Sequence, residues 1–194
     1  MVEAINSSGA HRAFDKSELR GSKSSRDEFR QKPRLPITVV LDGVEQNYNI
    51  GAIFRLCDAM LVEELIICGG VVDLRKRKLV QAARGTQFWV PWRHADSAVE
   101  VVSNLKASGY QIAIAELATG SIPPEQYQPR SPVCLVLGGE YGGISPEVAA
   151  LADTAIEIPL MGMANSINVA TAAAIILYQL SRWIQTSPQE EQTQ

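Results

Sequence analysis

An α/β fold built on a parallel sheet, with helices on both of its faces, is the prediction that three observations carry. Short β-branched or aliphatic runs recur between turn residues, stretches of helical spacing separate them, and the chemically distinctive loops follow the ends of the runs. The runs are Ile37-Thr-Val-Val-Leu41, Glu64-Leu-Ile-Ile-Cys68, Gln111-Ile-Ala-Ile-Ala115 and Val133-Cys-Leu-Val-Leu137. They are apolar at nearly every position, which suits strands covered on both faces. Between the first two, Ile50, Ile53, Phe54 and Cys57 repeat at helical spacing. Between the second and third, Ala98, Val101, Val102 and Leu105 do the same behind Asp96, a candidate cap. The last helix has the clearest stripe: Val169, Ala172, Ala173, Ile176, Leu177, Leu180, Trp183 and Ile184.

The chain has 194 residues and a formal net charge of −3, unevenly placed. Residues 1–36 hold eight Lys/Arg against five Asp/Glu, a balance of +3, and the remainder holds ten against sixteen, a balance of −6. The first segment is rich in serine and poor in β-branched and aromatic residues, so it buries too little to offset ordering entropy. This divides the chain into a flexible basic N-terminal tail, 1–35, with a short helix at Asp15–Arg20, a domain, 36–184, and a polar C-terminal tail, 185–194. Cys57, Cys68 and Cys134 lie far apart in apolar surroundings without a CxxC pair, which speaks against a disulfide framework or a metal site. The most apolar stretch, Val169 to Leu180, is too short to span a membrane, and MVEAINSSGAHR has no apolar core of the signal-peptide kind. The expectation is a cytoplasmic protein without a membrane partner.

Three loops place small or polar residues where a parallel sheet binds ligands, beyond the carboxyl ends of strands. They are Asp42 to Gly51, leading into the helix that carries Arg55, then Gly138-Gly-Glu-Tyr-Gly-Gly143, then Ile158 to Asn168, leading into the last helix. The glycine loop is no dinucleotide fingerprint: two positions after Gly138 or Gly139 stand Glu140 or Tyr141, and no GxxxxGK[ST] exists. Glu140 would face a pyrophosphate with a carboxylate. A ligand with positive charge and no phosphate, such as S-adenosylmethionine (AdoMet), suits the loop better.

Together the segments Asn49-Ile-Gly-Ala-Ile-Phe-Arg55, Leu137-Gly-Gly-Glu-Tyr-Gly-Gly-Ile-Ser145 and Ile158-Pro-Leu-Met-Gly-Met-Ala-Asn-Ser-Ile-Asn168 resemble the three motifs of the SpoU/TrmH-type RNA ribose 2′-O-methyltransferases of the SPOUT superfamily. The resemblance covers Ile37 to Trp183. It implies a C-terminal trefoil knot, a homodimer, AdoMet as cofactor and an RNA substrate, with tRNA favoured over rRNA. It also implies a catalytic set of Arg55, Asn49, Glu140, Ser166 and Asn168, and cofactor contacts at Glu116, Gly138, Ile158 and Ile167, largely through backbone and apolar surface. No metal enters. Ile167 and the run Val169-Ala170-Thr171 depart from the usual leucine and following serine of the third motif.

Each of these residues has a purely structural alternative. Arg55 could pair with Asp58 at i+3, Asn49 and Ser166 stand where helix caps belong, and Glu140 could be a turn acid. Positive charge in the acidic body gathers in Arg75, Lys76, Arg77 and Lys78, extended by Arg84 and Arg93, with Trp89 and Trp92 interleaved. That tract reads as an RNA patch with aromatic faces for stacking or as a solvated helix face beside core tryptophans. A catalytically inactive RNA-binding protein on the same scaffold is the rival reading of the whole chain.

Overall fold

A computed structural model describes residues 12–21, 25, 28–29, 31–130 and 132–187. The chain divides into two compact units, Met1–Lys32 and Pro33–Gln194. In the first, helix α1 (Lys16–Gly21) starts behind a capping box. The Asp15 carboxylate accepts the Glu18 amide at 2.9 Å, and the Glu18 carboxylate accepts the Asp15 amide at 2.8 Å. Ser25 and Glu28 repeat the arrangement, and the Arg12 guanidinium beside Glu18 holds that carboxyl down at about 2. The remainder of the expected flexible tail, residues 1–11, 22–24, 26–27 and 30, lies outside the described residues, as do 188–194 of the C-terminal tail.

The second unit contains β1 (Leu35–Asp42), α2 (Asn47–Ala59), β2 (Val62–Cys68), α3 (Arg77–Ala83), β3 (Trp92–Ala95) and α4 (Ala98–Ala107). It continues with β4 (Gln111–Ala115), β5 (Val133–Gly138), α5 (Pro146–Ala149), β6 (Thr154–Ile156) and α6 (Val169–Thr186). All strand pairs are parallel, in the order β3-β2-β1-β5-β4-β6. Alternation along the strands splits the core into two layers. Val39, Leu41, Leu65, Ile67, Leu135 and Leu137 pack with residues of α2, α3 and α6, while Val40, Ile66, Ile112, Ile114 and Val136 pack with those of α4 and α5. The three cysteines are free and buried, and burial pushes the thiol of Cys68 up to about 11 and that of Cys134 up to about 12. Among the described residues, no helix is long and apolar enough to cross a membrane.

Register decides where a ligand can sit. Asp42 lies level with Cys68 on one side and with Gly138 on the other, so the ends of β1, β2 and β5 form one rim. Gly51, in the second turn of α2, permits close crossing of α3: a Cβ there would stand 2.4 Å from the Leu79 carbonyl oxygen. Two capping expectations are corrected. Ser97, not Asp96, caps α4, its hydroxyl accepting the Glu100 amide at 3.2 Å, because only Ser97 occupies the extended position immediately before the first turn. Helix α2 begins after Gln46, which leaves Asn49 inside the helix with its side chain free for other work.

Candidate active site

Asn49 is wholly buried and is the centre of a relay between the three loops. Its Nδ2 donates to Glu140 Oε1 at 2.5 Å, and its Oδ1 accepts Asn168 Nδ2 at 3.0 Å. Asn168 in turn caps α6, its Oδ1 accepting the amides of Ala170 at 2.9 Å and Thr171 at 3.3 Å. One donor and one acceptor on Asn49 thus fix the orientation of its amide and join the β5 loop to the start of α6. Ser166 does not cap that helix, because it stands two positions before the capping site; it is exposed and takes no part in the relay. Glu140 is half-buried and hydrogen-bonded, which corrects its reading as a simple turn acid.

Arg55 stands exposed on the same helix as Asn49. The i+3 pair with Asp58 does not form, since Asp58 Oδ1 accepts the indole Nε1–H of Trp89 at 2.6 Å. Among the described residues, Arg55 makes no ion pair or hydrogen bond, and its guanidinium is available to an incoming anion.

Of the expected cofactor residues, Gly138, Glu116 and Ile158 lie at or just after the ends of β5, β4 and β6, and Ile167 stands beside Asn168. Gly138 ends β5, and a Cβ on it would meet Gly143 backbone at 2.3 Å, so the loop folds tightly on itself. Glu116 follows β4, and its carboxylate accepts the amides of Leu117 at 3.2 Å and Ile144 at 3.3 Å. Its side chain therefore braces the loop, leaving backbone for any ligand contact. Ile158 and Ile167 are half-buried at the two ends of the third loop, between which Met161 and Met163 are fully exposed. Beside Ile158 and Pro159 an apolar cleft of about 450 Å³ runs along the outer face of α6, past Ile175 and Tyr178. The sequence reading missed Asp42, whose carboxylate takes both the amide and the hydroxyl of Ser145. Its position directly after the first apolar run, at the head of a loop, was the available signal.

The basic tract lies at the entry and along the outside of α3. Arg75, Lys76, Arg77, Lys78 and Arg84 are all exposed, and Arg75 is tied to Asp73 at 3.0 Å. The interleaved tryptophans are not stacking platforms. Trp92 packs edge-on against Phe54 with ring centroids 5.8 Å apart, and Trp89 is anchored on Asp58; both lie against the core. Apolar packing outweighed a solvent-facing role for both rings.

Residues 36–178 match the SpoU rRNA Methylase family, over an α/β sheet whose strand-end loops carry the motifs in order. The chain belongs to that family. Within it, a tRNA (guanosine(18)-2′-O)-methyltransferase of Escherichia coli (strain K12) is 35% identical over 154 residues, 79% of this chain and 65% of the relative. The chain thus spans a little under two thirds of that relative's length. The enzyme of the same name from Aquifex aeolicus (strain VF5) is 34% identical over 156 residues, 80% of this chain and 73% of the relative. Among solved structures, the A. aeolicus TrmH/SpoU tRNA modifying enzyme superposes with a TM-score of 0.73 at 33% identity, covering 82% of this chain and 81% of that one. The SpoU methyltransferase AviRb from Streptomyces viridochromogenes, in complex with AdoMet, gives 0.71 at 28% identity, covering 84% and 67%. The fold is therefore the SPOUT methyltransferase fold of the SpoU family.

Proposed function

We propose that this chain is an AdoMet-dependent methyltransferase that modifies a ribose 2′-hydroxyl of RNA, with tRNA as its substrate class, and that it works in the cytoplasm as a homodimer. The carrying observation is the exposed Arg55, without a partner among the described residues, on the helix whose buried Asn49 binds both Glu140 and Asn168. The names of the E. coli and A. aeolicus relatives support tRNA. The donor set fits AdoMet: carboxylates and glycine backbone at the strand ends suit a cationic ligand without phosphates. Gly138, Ile158, Ile167 and the backbone at Glu116 would hold it, and when bound it supplies a methyl group on a sulfonium centre.

The chain's own work is then positioning. Glu140, Asn49 and Asn168 hold the three loops in register, and Ser166, exposed on the third loop, is left free to meet the ligands. A neutral hydroxyl must lose its proton as it attacks. A guanidinium is a poor acceptor, because deprotonating an ordinary arginine at pH 7 costs about 7.5 kcal/mol. Arg55 instead grips the phosphate next to the reacting ribose through a two-pronged hydrogen bond, and the proton passes to phosphate or water. Alignment of two reactants can supply roughly 7–11 kcal/mol of the barrier lowering. Arg75, Lys76, Arg77, Lys78 and Arg84 add phosphate contacts from the body of the domain.

The C-terminal trefoil threading belongs to this reading, supported by the family match over residues 36–178. The second copy is supported by the apolar cleft and by Ile175 and Tyr178, exposed at 41% and 56% on α6; light scattering at twice the chain mass checks it. The test of function is methyl transfer from labelled AdoMet to tRNA transcripts. Arg55→Ala should abolish transfer with AdoMet affinity nearly unchanged, and Arg55→Lys should restore little, since a point charge lacks the planar fork. Loss of AdoMet binding in Arg55→Ala would move that residue into the cofactor pocket, and near-normal turnover in Arg55→Lys would refute the two-pronged contact. The family's description as rRNA methylases favours rRNA as the second substrate to assay. RNA binding without transfer to either would establish the inactive alternative.

A further inference from the structure

The loop after β5 is gripped by carboxylates from the strands on both sides of it. β5 lies between β1 and β4; Asp42 ends the first and Glu116 follows the second. Ile144 N donates to Glu116 Oε2 at 3.3 Å, and the next amide, Ser145 N, donates to Asp42 Oδ2 at 2.8 Å. The Ser145 hydroxyl donates to the same oxygen at 2.7 Å. The Asp42 carbonyl also accepts Gly139 N at 2.9 Å, so the loop leaves β5 and returns to α5 against one residue of β1. Between these anchors Gly143 N donates to Gly139 O at 3.0 Å, which folds the turn that carries Glu140. The turn has no slack, since a Cβ on Gly139 would stand 2.3 Å from the Gly43 carbonyl oxygen.

We infer that Asp42 is a positioning residue for methyl transfer: it closes the Gly138–Ser145 loop onto β1 and so sets Glu140 against Asn49. Glu116 is the opposing jaw. The inference rests on the methyltransferase reading and extends it to a residue that touches neither reacting group. A carboxylate suits the role because one oxygen receives two donors from a single residue, and hydrogen bonds to a charged acceptor are the stronger kind. Opening the clamp releases the glycine loop that would cradle the cofactor, whereas the RNA contacts of Arg55 and the basic tract stay in place. The effect therefore falls on AdoMet affinity and kcat, and spares KM for RNA.

The experiment compares Ser145→Ala, which removes one arm, Asp42→Asn, which keeps an oxygen acceptor without the charge, and Asp42→Ala, which removes both arms. AdoMet Kd from calorimetry should rise in that order, reaching about tenfold or more in Asp42→Ala, a step equivalent to one charged hydrogen bond. KM for tRNA should stay within about twofold, and Asp42→Ala/Ser145→Ala should lose no more than Asp42→Ala alone, because the two substitutions remove the same contact. Hydrogen exchange at the Ser145 amide supplies the structural readout and should quicken in Asp42→Ala by more than the fall in global stability accounts for. If Asp42→Ala does not fold, Ser145→Ala and Asp42→Asn still give the graded series. Wild-type Kd and kcat in a variant whose Ser145 amide has lost protection would overturn the inference, as would additive losses or an equal rise in KM for RNA. A wild-type chain that bound no AdoMet would overturn the methyltransferase reading instead, and the exchange rate at Ser145, measured without cofactor, would report separately on the clamp.

Discussion

Replacing Asn49 by Asp exchanges one nitrogen for one oxygen in a side chain with no exposed surface. The nitrogen removed is the donor to Glu140 Oε1 at 2.5 Å, so a second carboxylate would face the first with the bridging hydrogen gone. Losing a hydrogen bond to a charged group costs about 1.5–3 kcal/mol, and like-charge repulsion adds to it. The pair can relieve the repulsion by holding one proton in common, which raises one of its macroscopic pKa values strongly. Between the ordinary carboxylate value of about 4 and that raised value, the folded variant binds more protons than its unfolded chain. Stability then falls as pH rises, by up to about 1.4 kcal/mol per unit for one proton, or about 2.7 kcal/mol between pH 5 and pH 7 if the raised value exceeds 7. Asn49→Ala brings no new acid and should lose a similar amount at every pH. Urea unfolding of wild type and both variants from pH 5 to pH 8 measures the difference. A gap between Asn49→Asp and wild type that stays flat with pH would show that Asn49 and Glu140 are not in contact in the folded protein.

Gly51→Ala sets two effects against each other: helix propensity favours Ala by about 1 kcal/mol, but the new Cβ would lie 2.4 Å from Leu79 O and 2.9 Å from Ala82 Cβ. Because the nearer atom is backbone and overpacking costs about 1–3 kcal/mol, the expected result is a net loss of up to about 2 kcal/mol in chemical denaturation; a gain would refute the close crossing. Replacing Lys76, Arg77, Lys78 and Arg84 with Ala should make the slope of log affinity against log salt shallower by about 3, at roughly 0.7–0.9 per phosphate contact. AdoMet calorimetry is the folding control, and an unchanged slope in filter binding would place the RNA elsewhere.

The central strands were legible because burial on both faces leaves an unbroken apolar run. The outer strands were not: β3 contains exposed Arg93 and His94, and β6 is only Thr154–Ile156, so neither shows such a run. An edge strand needs apolar residues on fewer sides and is written in the same letters as a loop. The three loops could be read from small and polar residues at strand ends, but not the bonds among them. That Asn168 rather than Ser166 caps α6, that Asp58 goes to Trp89 rather than to Arg55, and that Asp42 receives Ser145 all depend on which side chains arrive from distant segments. Local spacing ranks candidates for a contact, and tertiary packing chooses among them.

The relay also bears on when the protein becomes competent. Asn49 meets Glu140 across 91 residues of chain and Asn168 across 119, and each closure is opposed by the entropy of the intervening loop. Contacts of such long range are slow to form. A chain still emerging from the ribosome can complete β1 and α2, with Arg55 displayed, well before Asn168 has been synthesised. Until then the Asn49 amide lacks its Asn168 partner, and the cradle between the loops is incomplete. The basic residues on α3 present their charge at that stage, but the parts proposed to align a ribose come together only when α6 docks. On the proposed function, competence is therefore acquired at the end of folding, and a half-folded copy without a docked α6 would lack it.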